Sequence, residues 1–503
     1  MGERFDYGIW TSNIYYGCSQ KSEQFKDAVE KTNLDRFLMI TTSGGLNQQR
    51  TWISDAVVAA YILNSTLVVP KLDNKSYRKD QSNFSDIFDV EWFMSYLSKD
   101  VSIVKELPMI DGRFVHPHPT RIPRKCDVEC YESRVLPLLE KKKVVMLTKF
   151  DYMLSNNLHA DLQKLRCRVN YHALRYTNAI REMGKRLVER MRIKSEWYIA
   201  LHLRFESDML AFSGCNFGGG DKVRRDLERM RTRWDTLPQR SPDKERREGR
   251  YALTPEEVGL LLRALGYGDD AHIYVASGEV YGDENTLLPL KQIFPNTHSK
   301  DTLATTEELA PFASYSSRMS ALDFIVSNES DVFATNNNGN MAKTLAGTRR
   351  YFGHKPTIRP NFKKLYRLFL DRGNMTWEEF VSQVRTHQVG FMGRPNDSKS
   401  GKGEFYEDPT DCICVDTNYS NIQTHNQSQN DSQSHSEANT HIAQDNISDP
   451  DIKDHEQVIY KEHNVCLTRY DRNEKQTLGD DLPIRSKFVE GEGRGEECHL
   501  ANE

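Results

Sequence analysis

Short apolar runs alternate along the first part of the chain with segments whose apolar residues recur at helical spacing. The runs at 37–42, 66–69 and 144–148 are apolar and β-branched enough to predict buried strands. Helical periods separate them, and the longest predicts a single helix over about 161–191. Together these elements predict one α/β lobe over 34–192.

A second series of the same kind follows. It predicts strands at 198–203, 272–276 and 331–335, and helices at 254–265, 286–293, 316–326 and from 341 onward. Two successive series predict two Rossmann-like, doubly wound lobes that face each other across a cleft, the second over 193–394. Residues 1–33 form a lead-in without a clear period, and 395–503 are predicted to be a mostly disordered tail.

The stretch TSGGLNQQR turns the first predicted strand into a helix. Gly44 and Gly45 let the backbone approach a ligand closely, and Asn47 is predicted to cap the helix. Exposed N–H groups at a helix start bind anions, phosphate above all. The alternative is a plain turn with a capping Asn, and the residues alone leave both open.

Three strand-end loops of the second series carry the other candidate residues. HLRFESDM places His202, Leu203 and Arg204 at one strand end, ASGEVYG places Ser277 at the next, and TNNNGNMAK places Asn338 and Asn340 before a helix. In open parallel sheets, ligands collect outside the carboxyl ends of the strands. We therefore expect these loops and the Gly45 loop to converge on one cleft.

His202 and Arg204 lie two positions apart at an extended strand end, so their side chains share a face. A guanidinium is a planar, permanently charged fork suited to phosphate, while a neutral imidazole can hydrogen-bond a base or ribose. Alternatively, Arg204 pairs with Glu206 or Asp208 and only closes the strand. The Asn run could likewise be a polar turn, although the predicted helix start at Met341 favours anion binding.

Length and charge limit the classes of function. The chain has 503 residues, 38% of them hydrophobic, which suits two or three domains with sizeable cores. Lys and Arg number 68 against 72 Asp and Glu, a net charge of -4, so no overall basic field indicates nucleic acid. The stretch 222–250 is locally basic and could meet an anionic substrate, although a solvated charged helix and loop is the more ordinary explanation.

Cysteines and sequons bear on metal binding and on the cellular compartment. Nine Cys occur without a paired CxxC, and no His cluster has zinc spacing, so a structural zinc site is not expected. Ten Asn-x-Ser/Thr sequons indicate a secretory lumen. No apolar run approaches the ~20 residues of a membrane-spanning helix. MGERFDYGIW is unlike a signal peptide, so the chain as written is expected to be soluble.

The ligand expected at the converging loops is a diphosphate held without a metal. The chain has no P-loop and no GxGxxG, which disfavours a nucleotide kinase or a dinucleotide enzyme. Its only Asp-x-Asp lies at 449–451 in the predicted tail, whereas a metal-binding sugar-nucleotide enzyme needs such carboxylates in its core. Two lobes with a phosphate-binding Arg and helix starts describe the glycosyltransferase architecture called GT-B, with Arg204 as the catalytic residue.

The chain carries a long ordered set of motifs. They include TSGGLNQQR, DAVVAAYILNSTLVVP, FSDIFDVEWF, KLRCRVNYHALR, HLRFESDMLAFSGC, YVASGEVYG and NNNGNMAKTLAGTRRYFGHKPTIRPN. Over roughly 17–414 they resemble the plant O-fucosyltransferase family. The resemblance implies a GT-B fold, the donor GDP-L-fucose, and a Golgi location as a single-pass membrane protein. It also implies that His202 and Arg204 contact the donor's nucleotide and pyrophosphate, with Asn47 in the loop opposite.

Such a resemblance leaves the donor, the acceptor and turnover open. Some relatives in the same plant group are rhamnosyltransferases that act on pectin, so UDP-rhamnose is the alternative donor, and the acceptor is a protein or a polysaccharide. Animal relatives with a Glu base place it where this chain has Gly44 or Gly45, which makes a non-catalytic carbohydrate-binding or scaffold protein the alternative of another class. The family's membrane anchor has no counterpart either, which suggests a truncated product or an incomplete gene model.

Overall fold

The computed structural model describes residues 15–73, 80–110, 112–148, 154–214, 217, 220–232, 241–249, 251–353, 355–388 and 405–415. The first 14 residues of the predicted lead-in, most of the predicted tail and six of the ten sequons lie outside these residues. Within the described ranges, no helix combines the length and the apolar character needed to cross a membrane.

Two five-stranded parallel sheets and one small antiparallel sheet form the framework. The strands are β1 Tyr15–Gly17, β2 Asn33–Ile40, β3 Ser65–Val68, β4 Ile103–Val104, β5 His118–Thr120, β6 Val144–Leu147, β7 Tyr198–His202, β8 His272–Ala276, β9 Thr297–His298, β10 Val332–Thr335, β11 Thr357–Ile358 and β12 Ile413–Val415. The first parallel sheet has the order β4-β3-β2-β6-β5, and the second has the order β11-β10-β7-β8-β9. The α/β class with parallel sheets is thereby confirmed.

α-Helices connect the strands and cover the sheets. They are α1 Ala28–Lys31, α2 Leu46–Ile62, α3 Phe84–Ile87, α4 Val90–Leu97, α5 Val128–Arg134, α6 Leu136–Lys142, α7 Ala160–Cys167, α8 Asn178–Lys194, α9 Ser207–Ser213, α10 Gly220–Arg231, α11 Pro242–Arg247, α12 Pro255–Ala264, α13 Asp283–Ile293, α14 Lys300–Leu303, α15 Thr306–Ala313, α16 Ser316–Glu329, α17 Asn340–Tyr351, α18 Phe362–Leu370 and α19 Trp377–His387.

The single helix predicted over about 161–191 is wrong. After α7 the chain forms a π-helical turn, Arg168–Ala173, and α8 begins only later. Arg168 of this turn donates to Asp100 at 2.8 and 3.0 Å, and Asn170 accepts from Arg50 at 3.1 Å. These tertiary contacts hold the chain in a geometry that its apolar period does not indicate.

Strand order determines where a ligand can bind. In the second sheet the chain winds outwards from β7 through β8 and β9, and then returns to the other side of β7 with β10 and β11. This reversal beside β7 is a topological switch point, and ligands bind outside the carboxyl ends of the strands there. Every residue of β7 and β10 is buried, as expected for central strands covered on both faces. The first sheet has its switch point between β2 and β6.

A C-terminal segment returns to the start of the described chain. We call residues 405–415 the strap. Its strand β12 pairs antiparallel with β1, and the disulfides Cys167–Cys412 and Cys18–Cys414 tie it to α7 and to the chain after β1. This part of the predicted tail is therefore folded, because its two aromatic side chains and one of its cysteines are buried in the protein.

The strap packs where helices of the two sheets meet. We call the buried cluster of Asp55, Arg166 and Tyr406 the seam. Arg166 of α7 donates to Asp55 of α2 at 2.7 Å, and the Tyr406 hydroxyl donates to Thr51 O at 2.8 Å. The strap backbone lies so close to α17 that a Cβ atom at Gly347 would be 2.1 Å from Tyr406 O. Since α2 also packs against α7 and α17, these helices and the strap form one packed unit.

Candidate functional site

The carboxyl ends of β7, β8 and β10 meet at the switch point of the second sheet. His202 pairs with Thr335 on one side and with Ala276 on the other. Its Nδ1 lies 3.1 Å from Ala276 O and donates to it, because a carbonyl oxygen can only accept. The residue is 6% exposed, so its neighbours fix the orientation of the ring. Leu203 is fully buried and donates its N–H to Ala276 O at 3.1 Å, so its side chain belongs to the core.

Asn336 organises the loops around this point. It is fully buried, and its N–H donates to His202 O at 3.2 Å. Its side-chain oxygen accepts the Arg204 N–H at 2.7 Å, and its side-chain nitrogen donates to Leu253 O at 2.9 Å. Asn336 therefore ties the loop after β10 to the loop after β7. Sequence reasoning placed it only within a run of Asn, and its position directly after a buried strand was the signal for its role.

Arg204 pairs with two carboxylates that follow it closely in the chain, Glu206 at the N-cap of α9 and Asp208 in the first turn of α9. Its Nη1 lies 2.5 Å from Glu206 Oε2, and its Nη2 lies 3.7 Å from Asp208 Oδ2. The three side chains are 16%, 17% and 23% exposed, respectively. The alternative in which Arg204 pairs with these acids is thus realised in the structure. This pairing is compatible with phosphate binding, because a guanidinium carries five N–H donors and can serve several anions at once.

The loop after β8 is held from two sides. Lys300 donates to Ser277 O at 2.5 Å and to Asp323 at 2.9 Å, and Glu206 accepts the Gly278 N–H at 3.2 Å. The Ser277 hydroxyl is buried and has no hydrogen-bond partner among the described residues. Because buried polar groups are normally hydrogen-bonded, this hydroxyl is suited to a ligand contact.

The loop after β10 opens helix α17, and we call residues 336–340 the Asn loop. The helix begins at Asn340 with Gly339 as its N-cap, one residue before the predicted start. Asn337 Oδ1 accepts the Gly339 N–H at 2.6 Å. Asn338 Oδ1 accepts from Arg359 Nε at 2.7 Å. Arg359, which follows β11, therefore holds the side chain of Asn338, one of the residues predicted to contact the sugar nucleotide.

The loop after β2 contains the predicted glycine turn but a different cap. Gly44 has a φ of +83°, a conformation that favours glycine, and Gly45 is the N-cap of α2. The prediction of Asn47 as the cap is wrong, because Gly45 has the extended backbone of a cap and Asn47 already lies within the helix. Asn47 is 5% exposed, and its Oδ1 has no hydrogen-bond partner in the described part of the chain. It remains a candidate ligand contact.

A carboxylate that the sequence did not indicate lies beside this turn. Asp73 Oδ2 accepts the Gly44 N–H at 3.3 Å, and Asp73 donates its own N–H to Gln49 Oε1 at 2.8 Å. Gln49 is held in turn by the Thr42 hydroxyl at 2.6 Å and by Gly44 O at 2.9 Å. Asp73 follows β3, the neighbour of β2, so its place at the same sheet edge was the available signal.

The structure joins three of the four predicted loops directly. Hydrogen bonds made by His202, Glu206 and Asn336 link the loops after β7, β8 and β10. The fourth loop belongs to the first sheet, and its helix α2 packs against α17, which begins at the Asn loop. The roles of His202, Arg204 and Asn47 as donor contacts stay predictions.

The basic stretch 222–250 contains most of α10 and all of α11. In α10, Arg224 lies 3.1 Å from Asp221 and Arg229 lies 3.4 Å from Asp226. Arg231 donates to carbonyl groups near the end of α9. Local partners thus occupy Arg224, Arg229 and Arg231. These contacts favour a solvated charged helix rather than a surface that binds anions.

Comparison with known proteins identifies similar glycosyltransferases. The family model described as GDP-fucose protein O-fucosyltransferase matches residues 37–352. O-fucosyltransferase 6 of Arabidopsis thaliana is 64% identical over 419 residues, which are 83% of this chain and 74% of that protein. Rhamnogalacturonan I rhamnosyltransferase 1 of the same plant is 37% identical over 442 residues, 83% of this chain and 88% of that protein.

The solved structures that match the chain are more remote. The crystal structure of POFUT1 in complex with GDP matches with a TM-score of 0.37 and 14% sequence identity, covering 65% of this chain and 97% of that one. Membership follows from the sequence matches instead, because the family model and the relative at 64% identity both span most of the chain. The chain belongs to the GDP-fucose protein O-fucosyltransferase family and is a glycosyltransferase.

Proposed function

We propose that this chain transfers L-fucose from GDP-L-fucose to a hydroxyl group of a protein or cell-wall glycan, with inversion and without a metal ion. Family membership and relatives named O-fucosyltransferases support the donor. The observation that carries the proposal is the switch point of the second sheet, where His202, Arg204 and the Asn loop lie at one edge. We also propose that the two parallel sheets are the centres of two GT-B lobes, 34–192 and 193–394.

Stabilising the departing GDP is the main task of this edge. As the acceptor oxygen bonds to C1 of fucose, the bond from C1 to the β-phosphate oxygen breaks and negative charge grows on GDP. The Arg204 guanidinium and the first N–H groups of α17 favour that charge. The bond from Asn336 fixes the Arg204 backbone, while the guanidinium is shared between the diphosphate, Glu206 and Asp208.

The acceptor hydroxyl must also lose a proton. We assign this proton to Asp73, because its carboxylate touches the Gly44 turn at the carboxyl edge of the first sheet. The Gly44 N–H and Gln49 hold Asp73 in place, as a general base requires. This assignment provides a carboxylate beside the turn, which itself has Gly44 or Gly45 where animal relatives with a Glu base place that Glu.

Product release from purified protein tests the function. With GDP-fucose and a suitable acceptor we expect GDP release that EDTA does not change, and with UDP-rhamnose we expect no release of UDP. Release of UDP from UDP-rhamnose would instead support rhamnosyl transfer, the activity in the name of the relative that is 37% identical. Retention of carbohydrate binding without release of either nucleotide would support the non-catalytic alternative.

We further propose that the protein works in the Golgi lumen. The described residues contain three disulfides, Cys18–Cys414, Cys126–Cys130 and Cys167–Cys412. Disulfides form and persist in oxidising compartments and are rare in the cytosol, so they support a luminal location. Co-localisation of the tagged full-length protein with a Golgi marker tests this directly, and a purely cytosolic signal would contradict it.

Glycosylation provides a second readout of that location. Among the described sequons, Asn83 and Asn374 are exposed. In the sequons of Asn64 and Asn328, the hydroxyl residues at the third position are buried, 1% and 0% exposed. We therefore expect peptide mapping after glycosidase treatment to find glycans at Asn83 and Asn374 and not at the other two.

A further inference from the structure

The strap reaches the Asn loop through one chain of contacts. Glu407 of the strap forms an ion pair with Arg359, and Arg359 Nε donates to Asn338 Oδ1 at 2.7 Å. The Glu407 side chain is 12% exposed and the Arg359 side chain is 28% exposed. Contacts thus run without interruption from the C-terminal strap to the loop that opens α17.

A small cavity shows that these groups face one another. It measures about 10 Å³, room for roughly one water, and is lined by Thr335, Asn338, Lys343, Arg359 and Glu407 among others. Burial on its own would raise the pKa of Glu407, but the positive charges of Arg359 and Lys343 hold it below its ordinary value. Glu407 is therefore an ionised carboxylate between two cations at the end of β10.

The strap can position this carboxylate because it is fixed on both sides. Two disulfides close on it at Cys412 and Cys414. Tyr406, the residue before Glu407, donates to Thr51 O at 2.8 Å, and its carbonyl lies against Gly347 of α17. Glu407 is consequently held in one place relative to the Asn loop.

We propose that Glu407 is a positioning residue for the donor: it orients Arg359, and Arg359 holds Asn338 in the conformation that receives the diphosphate of the sugar nucleotide. The inference rests on the proposed function, in which the Asn loop contacts the donor. The chain offers a matched comparison in Asp408, the next residue of the strap, which pairs with Arg350 near the C-terminal end of α17.

Steady-state kinetics of Glu407→Gln, Glu407→Asp and Asp408→Asn test the proposal. In both Glu407 variants we expect the donor KM to rise about tenfold while kcat and the acceptor KM stay within about twofold. Asp keeps the charge of Glu but is one methylene shorter, so it cannot hold Arg359 in the same place. In Asp408→Asn, which loses a comparable ion pair, the donor KM should stay within about twofold.

Three kinetic outcomes would overturn the proposal. A donor KM that falls in Glu407→Gln and is unchanged in Glu407→Asp would make Glu407 a counter-ion that competes with the diphosphate. Equal increases in Glu407→Gln and Asp408→Asn would mean that the strap acts only through stability. An unchanged donor KM in both Glu407 variants would remove Glu407 from donor binding.

Calorimetric titration of GDP into the unmodified protein separates this inference from the proposed function. Absence of GDP binding there would mean that the proposed function fails, whatever the variants do. Hydrogen exchange of the amides at 336–340 then decides the structural part. Faster exchange in Glu407→Gln than in Asp408→Asn would support the positioning role, and equal exchange would overturn it.

Discussion

Two arginines that face carboxylates show how differently the fold uses the same chemistry in the seam and at the sheet edge. Arg166 is 2% exposed and donates to Asp55 at 2.7 Å and to the Tyr406 hydroxyl at 3.3 Å, partners 111 and 240 residues away in the chain. Arg204 is 16% exposed, and its acidic partners, Glu206 and Asp208, are its near neighbours in the chain.

The difference separates an interaction that holds the fold from one that can be shared. Burial on its own would lower the pKa of Arg166, but Asp55 and Tyr406 raise it above its ordinary value, so Arg166 stays charged. Burial raises the pKa of Asp55, and the positive charge of Arg166 opposes that rise. Removing either member would leave an uncompensated buried charge. Ion pairs that reach solvent contribute much less to stability, so Arg204 can redirect its N–H groups towards an anion at little cost.

Arg166→Met provides the largest expected effect on the seam side of the comparison. The free energy of unfolding should fall by about 3–5 kcal/mol, because Asp55 remains buried without its partner. Urea unfolding measures this. The control is Arg36→Gln, which breaks a pair with Glu140 whose side chain is 53% exposed, and there we expect a loss below about 1 kcal/mol. Similar losses in the two variants would show that the seam is not the fixed region we describe.

Arg204→Lys tests the other side of the comparison. It should lower kcat about 10²- to 10³-fold, because Lys presents a point charge in place of a fork where charge develops on the leaving group. The unfolding midpoint should stay unchanged. Arg192→Lys is the matched control, since Arg192 also pairs with an acid, Asp331 at 2.7 Å, which directly precedes β10. Near-normal kcat in Arg204→Lys would remove this residue from the mechanism.

Asp73→Asn tests whether the edge of the first sheet takes part in the chemistry. Asn can still accept the Gly44 N–H but cannot take a proton from the acceptor. We therefore expect kcat to fall about 10²-fold with an unchanged donor KM. Formate should restore part of the rate in Asp73→Ala by replacing the carboxylate. Loss of stability in Asp73→Asn without loss of kcat would reduce Asp73 to a residue that holds the turn.

The strands and their ends were predictable because both signals are local. A short apolar run predicts a strand, and a polar residue directly after it predicts a loop at the sheet edge, which is how His202, Arg204 and Ser277 were found. The helix predicted at 254–265 and the helix after β10 follow from equally local patterns. The α/β class needed nothing more than the alternation of these elements.

The rest depended on contacts between distant parts of the chain. Asp73 touches Gly44 across 29 positions, and Glu407 meets Arg359 across 48, so neither contact has a periodic signature. The strap is folded although the sequence around it is polar. Disulfides and a few buried side chains hold it, and these long-range contacts have no local signal either. The acids that pair with Arg204 are visible in the sequence, but no local pattern decides between this pairing and a ligand contact.

The smallest effect is expected from α10, where Arg224 and Arg229 are a third class: exposed and paired within their own helix. Arg224 and Arg229 are 56% and 79% exposed and lie beside acids three or four positions away. Attraction between exposed charges fades beyond about 10 Å at 0.1 M salt. Replacing Arg224, Arg225 and Arg229 with Gln should therefore change the acceptor KM less than about twofold and leave its dependence on ionic strength flat. An acceptor KM that rises steeply with salt in the unmodified protein, and that is also raised in the triple variant, would instead mean that exposed arginines guide an anionic polysaccharide. Arginines that share their charge with a ligand would then not be confined to the sheet edge.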